Sequence, residues 1–195
     1  MEEGLPYSMV LSIFDRFPSD RTLKRNLVIA FFFFIVLMIS VNIAFEQSNY
    51  PVSFMESQLS FSGEAIKSHY QTMTADDIQF YIYAQVVDIG YMISYGVFIF
   101  ILGVYLGRLQ KKQSILRNIS YLIGLMGIVA MVCDLFENMF IFLMAQNPAG
   151  FPNSYAIIHS VFASIKFALL GSALIGVIIL IIILIFQRFR RLQAK

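Results

Sequence analysis

The chain has 195 residues, of which 58% are hydrophobic and only 13% are charged. A single soluble core of this length cannot bury so much apolar surface, so the composition excludes an ordinary water-soluble domain and indicates a membrane protein. The formal net charge is only +2. Membrane topology and anionic lipid explain the basic residues, so we expect membrane lipids as partners and no nucleic acid.

Four apolar segments are long enough to cross a hydrocarbon layer of ~30 Å, which takes about 20 helical residues. In chain order they are residues 26–45, 83–107, 119–144 and 155–186. The first segment has spanning length and no small-x-small cleavage site after it, so we interpret it as a retained span rather than a signal peptide. The sequence therefore predicts an all-α integral membrane protein, a four-transmembrane-helix bundle in a single membrane domain.

Lysine and arginine residues predict the orientation of these spans. Twelve of the fourteen lie before span 1, between spans 2 and 3 or after span 4. Because cytoplasmic flanks carry the excess of basic residues, we expect residues 1–25, 108–118 and 187–195, and hence both termini, to be cytoplasmic. Lys67 lies on the outer side and Lys166 within span 4. In a prokaryote the membrane is expected to be the cell membrane.

The segment before span 1 has an amphipathic pattern beside basic residues. Its apolar positions are Met9, Val10, Ile13, Phe14 and Phe17. This pattern is typical of a helix that lies in the plane of the membrane. We expect an anchor helix on the inner leaflet.

The first outer connection, residues 46–82, is long enough to have structure of its own. Ile66, Tyr70 and Met73 recur in it at helical spacing, which predicts a short amphipathic helix on the membrane surface or across the end of the bundle. Thr74 then precedes acidic residues in the manner of an N-cap. We therefore expect the second long helix to begin outside the bilayer.

The second outer connection, residues 145–154, is short and uncharged. It contains the sequence Asn-Pro-Ala-Gly, which is typical of a turn. We therefore expect a short outer turn between spans 3 and 4.

Four ionisable residues lie inside the predicted spans: Asp88, Asp134, Glu137 and Lys166. Charge at that depth is costly and needs a structural or functional reason. Counting ~1.5 Å per residue from the cytoplasmic end of each span places all four in the outer half of the membrane at similar depth. We therefore predict one polar layer, shared by three helices and open toward the first outer loop.

Helical spacing extends this layer to neighbouring side chains. On span 3, Asp134, Glu137 and Asn138 are spaced i, i+3, i+4 and share a face. Span 2 has a polar and aromatic stripe around Asp88, and span 4 has a histidine seven residues before Lys166. The candidates for ligand or proton binding are Gln85, Asp88, Tyr91, Tyr95, Asp134, Glu137, Asn138, His159 and Lys166.

The predicted layer contains more negative than positive charge. Three carboxyl groups and one ammonium give a formal charge of −2 if all four ionise, and uncompensated charge in a low-dielectric setting is severely unfavourable. Protonation of one or two carboxyl groups, a bound cation or amine-bearing ligand, or water from the outer face would each lower this cost. Alternatively, Lys166 and one carboxylate form a purely structural interhelical pair.

Motifs for metal binding and nucleophilic catalysis are absent from the sequence. His159 belongs to no His-x-x-x-His or Glu-x-x-His pattern, and Cys133 is the only cysteine. Neither Gly-x-Ser-x-Gly nor Ser-x-x-Lys occurs. We therefore predict no metal site, no cofactor and no catalytic residue.

Two classes of function agree with this pattern. The favoured one is a non-enzymatic binding, transport or assembly component whose outer-half layer holds protons, a cation or a ligand headgroup. Four helices make a narrow bundle, so transport would require a homo-oligomer or a larger membrane complex. The alternative is an intramembrane enzyme acting on a lipid or isoprenoid substrate, with Glu137 or Asp134 as general acid or base and Lys166 binding an anionic headgroup.

Overall fold

A computed structural model describes residues 13–112 and 114–193 of the chain. Within these residues it has four helices that are long and apolar enough to cross a membrane. The predicted all-α, four-helix membrane class is therefore confirmed. The helices are α1 (Asp20–Gln47), α2 (Phe54–Gln58), α3 (Gly63–Thr72), α4 (Ala75–Leu109), α5 (Ile115–Gln146) and α6 (Asn153–Gln193).

Three of the four long helices begin before their apolar span, where a polar N-cap fixes the first turn. The hydroxyl groups of Ser19, Thr74 and Ser114 each accept the backbone N–H three residues later. At Thr74 the Asp77 carboxylate also accepts the Thr74 backbone N–H at 2.9 Å, which completes a capping box. The start of α4 thus lies at the residue where the sequence predicted it.

The long helices pack in the order α1, α4, α5, α6. Helix α4 packs on α1 and α5, and α5 packs on α6. Over residues 13–112 and 114–193, helices α1 and α6 are not packed along one another. Most large apolar side chains of these two outer helices are exposed and available to lipid. The bundle is therefore open along the side between α1 and α6.

Glycines bring the two central helices, α4 and α5, into close contact. A Cβ atom added to Gly103 would lie 2.6 Å from the Cα atom of Gly124. One added to Gly127 would lie 2.7 Å from the side chain of Ile99. Small residues at such positions let two helix backbones approach. This pair forms the scaffold on which the polar layer is built.

We call one end of the bundle the basic end. It holds residues 13–19 and the connection from α4 to α5. Here the Phe14 ring lies 5.5 Å from the rings of both Phe100 and Tyr121. Arg117 pairs with Asp15 at 2.5 Å. Residues 13–16 are helical, whereas the predicted anchor positions Met9 and Val10 lie outside the described residues. The described part of the N-terminal segment is thus attached to α4 and α5.

The opposite end, with residues 48–74, is named the cap end. Ile66 and Tyr70 of α3 are buried. The Gly63 N–H donates to the Asn153 side chain at 2.5 Å, and the Phe61 N–H donates to the Ser160 hydroxyl at 3.1 Å. These contacts place α3 against α6. The predicted amphipathic helix is α3, and it lies across the end of the bundle rather than on the membrane surface.

Helix α2 was not predicted from the sequence. Its N-cap is Ser53, whose hydroxyl accepts the Glu56 N–H. The Tyr50 hydroxyl lies 2.9 Å from that of Ser57 and 3.3 Å from Nδ1 of His69, and thereby joins α2 to α3. Burial raises the pKa of Tyr50 to about 12, although the hydrogen bond with Ser57 lowers it. The phenol is therefore neutral at physiological pH.

Candidate functional site

Lys166 on α6 is the centre of a buried ion triad. Its Nζ atom lies 2.9 Å from Oδ1 of Asp134 and 2.6 Å from Oε2 of Glu137, both on α5. The three side chains are almost fully buried. The i, i+3 spacing of the two acids puts both carboxylates on the face of α5 that meets α6. One ammonium therefore bridges two carboxylates.

Two hydrogen bonds connect α5 to α4, one at the triad and one beside it. The Tyr95 hydroxyl donates to Oδ2 of Asp134 at 2.8 Å. The Asn138 amide donates to Oδ2 of Asp88, also at 2.8 Å. Asp88 is half-buried, and it has no ion-pair partner within 4.0 Å in the described part of the chain. The polar layer thus joins α4, α5 and α6.

The other three candidate residues take different positions. Tyr91 lines a cavity beside the cluster. Gln85 and His159 are each only 1% exposed and are not among the residues that line this cavity. In the described residues, Nε2 of Gln85 and Nδ1 of His159 have no hydrogen-bond partner. They extend the polar layer into the protein, away from the surface that a ligand could reach.

The cavity has a volume of about 270 Å³. Helices α4 and α5 form its polar inner wall, with Asp88, Tyr91, Tyr95 and Asp134. Helix α6 contributes Lys166 and apolar side chains, α1 forms the facing wall, and α2 contributes from the cap end. The cavity therefore lies on the open side of the bundle, between α1 and α6.

Sequence reasoning missed the part of this site that comes from α1 and α2. One signal was available for α2, since Ser53 followed by Glu56 three residues later is a capping-box pattern. On α1 the only signal is the polar residue Asn42 in a span that is otherwise almost entirely apolar, and no amphipathic pattern marks the face that lines the cavity. The residues concerned are Val41, Asn42, Phe45, Phe54, Met55 and Gln58.

The cluster contains more hydrogen-bond acceptors than donors. In the described residues, Oε1 of Glu137 and Oδ1 of Asn138 are buried without a donor. The donors that are present, on Lys166, Tyr95 and Asn138, already point to carboxylates. Carboxylates accept hydrogen bonds and cannot donate them when ionised. The carboxylates that face the cavity, on Asp88 and Asp134, suit a group with positive charge and N–H or O–H donors.

Known proteins give no identification of this site. Comparison of the chain with protein families, curated proteins and solved structures found no match. Among residues 13–112 and 114–193, no group of three His, Cys, Asp or Glu side chains is placed to hold a metal ion. The chemistry of the site is therefore inferred from its own contacts and charges.

Proposed function

We propose that this protein is a non-enzymatic membrane binding protein that holds a cationic group at Asp88, in the cavity between α1 and α6. The observation that carries this proposal is the position of Asp88, a carboxylate without an ion pair in the described residues that lines the cavity beside a buried ion triad. Lys166 lines the same cavity, but its ammonium contacts Asp134 and Glu137, so Asp88 is the carboxylate left for a ligand. The site therefore suits reversible binding.

The charge balance supports a cationic ligand. Lys166 neutralises one of the three carboxylates of the cluster, and two negative charges are left if all groups ionise. In a low-dielectric setting a nearby positive charge offsets part of that cost. Hydrogen bonds from a cationic donor to a carboxylate are also among the stronger ones in proteins. Asp88 gains both contributions when such a ligand binds.

The contacts of Lys166 favour binding over acid-base catalysis. The alternative function requires Lys166 to hold an anionic headgroup while Asp134 or Glu137 transfers protons. Both carboxylates instead contact the Lys166 ammonium directly. We therefore expect the lipid profile of a deletion strain to be unchanged, whereas accumulation of a lipid precursor would contradict a purely binding role.

We place both termini in the cytoplasm and the cap end outside. The excess of lysine and arginine at the basic end supports this orientation. In a Cys133→Ser background, a membrane-impermeant maleimide added to intact cells should label Ser68→Cys and leave Lys111→Cys unlabelled. Both positions are exposed in the structure. The reverse labelling pattern would overturn the orientation.

Ligand-induced stabilisation tests the binding function. A ligand that binds only the folded state raises its stability by about 2.7 kcal/mol at a hundred times Kd. We expect at least one primary alkylammonium ion, from butyl to dodecyl, to raise the Tm of the full chain in dodecyl maltoside. The increase should saturate and should be absent in Asp88→Asn. The control is Asp76→Asn, which removes an exposed carboxylate from the same helix. If no alkylammonium ion of any length raises the wild-type Tm, the proposed function is wrong.

A further inference from the structure

The cavity combines a charged inner wall with apolar side walls. Asp88 and Asp134 lie on the inner wall, whereas Phe45 on α1 and Phe167 and Leu170 on α6 provide apolar contacts at the sides. A small hydrated cation would gain nothing from these side walls. An amphiphile would use both parts, with its head at the carboxylates and its chain between the two helices.

The route into the cavity leads from the bilayer. At the cap end, α2 places Phe54 and Met55 in the cavity wall. On the open side, α1 and α6 are not packed along one another in the described residues. The outward faces of these helices are apolar and suited to lipid. A ligand carried in the membrane can therefore enter sideways, with its chain still in hydrocarbon.

The size of the cavity fits only part of such a ligand. Sites that enclose drug-sized molecules have volumes of about 300–1,000 Å³, and this cavity has about 270 Å³. It has room for a headgroup and the first methylene groups. The rest of a long chain would lie between α1 and α6, in contact with lipid.

The hydrogen-bond inventory specifies the headgroup. The carboxylates that a ligand in the cavity meets are those of Asp88 and Asp134. Asp134 already accepts from Lys166 and Tyr95, whereas in the described residues Asp88 accepts from Asn138 alone and can accept further hydrogen bonds. A primary ammonium has a positive charge and three N–H donors, as a lysine ammonium does. A quaternary ammonium has the charge without the donors, and a phosphate would add negative charge.

From these features we infer that the ligand is a membrane-borne long-chain primary amine that enters between α1 and α6 and pairs with Asp88. This inference rests on the proposed function and names its ligand class. The ammonium sits at the carboxylates of α4 and α5, and the chain lies along Leu170.

Four probes test this inference with the purified full chain in dodecyl maltoside, with binding measured by native mass spectrometry. Dodecylammonium is the expected ligand. Butylammonium has the same headgroup on a short chain, dodecyltrimethylammonium has the chain and charge without N–H donors, and dodecylphosphocholine is zwitterionic. We expect dodecylammonium to bind at least about tenfold more tightly than each of the others, the effect of one charge-assisted hydrogen bond or a few buried methylenes.

The outcomes separate this inference from the function on which it rests. If butylammonium binds as tightly as dodecylammonium, the chain contributes nothing and the ligand is not membrane-borne, but cation binding stands. If dodecyltrimethylammonium binds as tightly, the primary-amine class is wrong. If no probe binds, both the inference and the proposed function fail.

Two tryptophan variants test the path of the chain. Leu170 is half-buried and lines the cavity, whereas Leu174, one turn further along α6, is 62% exposed. Leu170→Trp should weaken dodecylammonium binding at least about tenfold, and by a larger factor than it weakens butylammonium binding. Leu174→Trp should change neither. Equal binding of dodecylammonium to wild type and Leu170→Trp would exclude this path.

Discussion

The Asn138 amide on α5 donates a hydrogen bond of 2.8 Å to the Asp88 carboxylate on α4. This contact orients the Asp88 carboxylate, which lines the cavity. Glu137, beside Asn138 on the same face of α5, is instead bound by Lys166. A single helix face thus serves two carboxylates in different ways. One is neutralised from within the protein, and the other is available to a ligand.

Replacing Lys166 should destabilise the fold because it leaves two buried carboxylates without a positive charge. We expect Lys166→Met to lower the free energy of unfolding by about 3–5 kcal/mol. The measurement is thermal and denaturant unfolding in detergent, followed by circular dichroism. Adding Asp134→Asn and Glu137→Gln to Lys166→Met should restore much of the loss. Lys111→Met, at an exposed position, is the control. If Lys166→Met were as stable as wild type, the triad would have no role in holding the bundle together.

Gly103 should tolerate no larger side chain, because its Cβ would meet the backbone of Gly124. Overpacking of a tight contact costs about 1–3 kcal/mol, and backbone atoms cannot move aside as a side chain can. We therefore expect Gly103→Leu to lower the Tm clearly. Gly171→Leu is a matched control, since nothing lies within 4 Å of its added Cβ. Equal effects of the two substitutions would contradict the close contact between α4 and α5.

Thr74→Ala should loosen the start of α4 by removing its N-cap. The Thr74 hydroxyl accepts the Asp77 N–H at 3.1 Å, and loss of such a cap costs typically ~1 kcal/mol. Hydrogen exchange should become faster over residues 75–78, and that of the central turns of α4 should not change. Thr72→Ala, an exposed substitution two residues earlier, should leave exchange in α4 as it is. Unchanged exchange in Thr74→Ala would argue against the cap.

Arg108 should hold the N-terminal segment against the basic end. Its guanidinium donates to the Phe14 carbonyl at 2.8 Å and the Pro18 carbonyl at 2.7 Å, and it pairs with Asp20 at 2.8 Å. We expect Arg108→Gln to speed hydrogen exchange of the Phe17 N–H by at least about tenfold, since two charge-assisted hydrogen bonds are lost. Lys112→Gln, which removes an exposed charge nearby, should have no such effect. Slow exchange in both variants would mean that ring packing and the Arg117–Asp15 pair hold the segment without Arg108.

The polar layer could be predicted from the sequence, because the depth of a residue in the membrane and the face of the helix it occupies both follow from counting residues along the helix. Counting along each span placed Asp88, Asp134 and Lys166 at similar depth, and the structure brings them together around one cavity. The i, i+3, i+4 spacing also identified Asn138, whose amide contacts Asp88. The partners of each carboxylate depend on the rotation of three helices, which spacing does not specify.

The contributions of α1 and α2 to the cavity wall could not be predicted in this way. The span of α1 has too few polar residues for an amphipathic pattern, so its sequence does not indicate that Val41 and Phe45 face the cavity and that Ile43 faces outward. Helix α2 has only five residues, too few for a periodic pattern. The open side between α1 and α6 reflects packing between helices distant in sequence. The hydropathy of the sequence does not predict which of these helices pack together.

Among the long helices, α1 packs on α4 alone in the described part of the chain. Its tilt can therefore change without breaking the contact between α5 and α6 that carries the ion triad. Because α1 is one wall of the cavity, a change in its tilt alters the width of the opening. Helices adjust their tilt to the thickness of the surrounding bilayer. We therefore expect a bilayer of different thickness to change the width of this opening through α1, while the ion triad between α5 and α6 keeps its contacts.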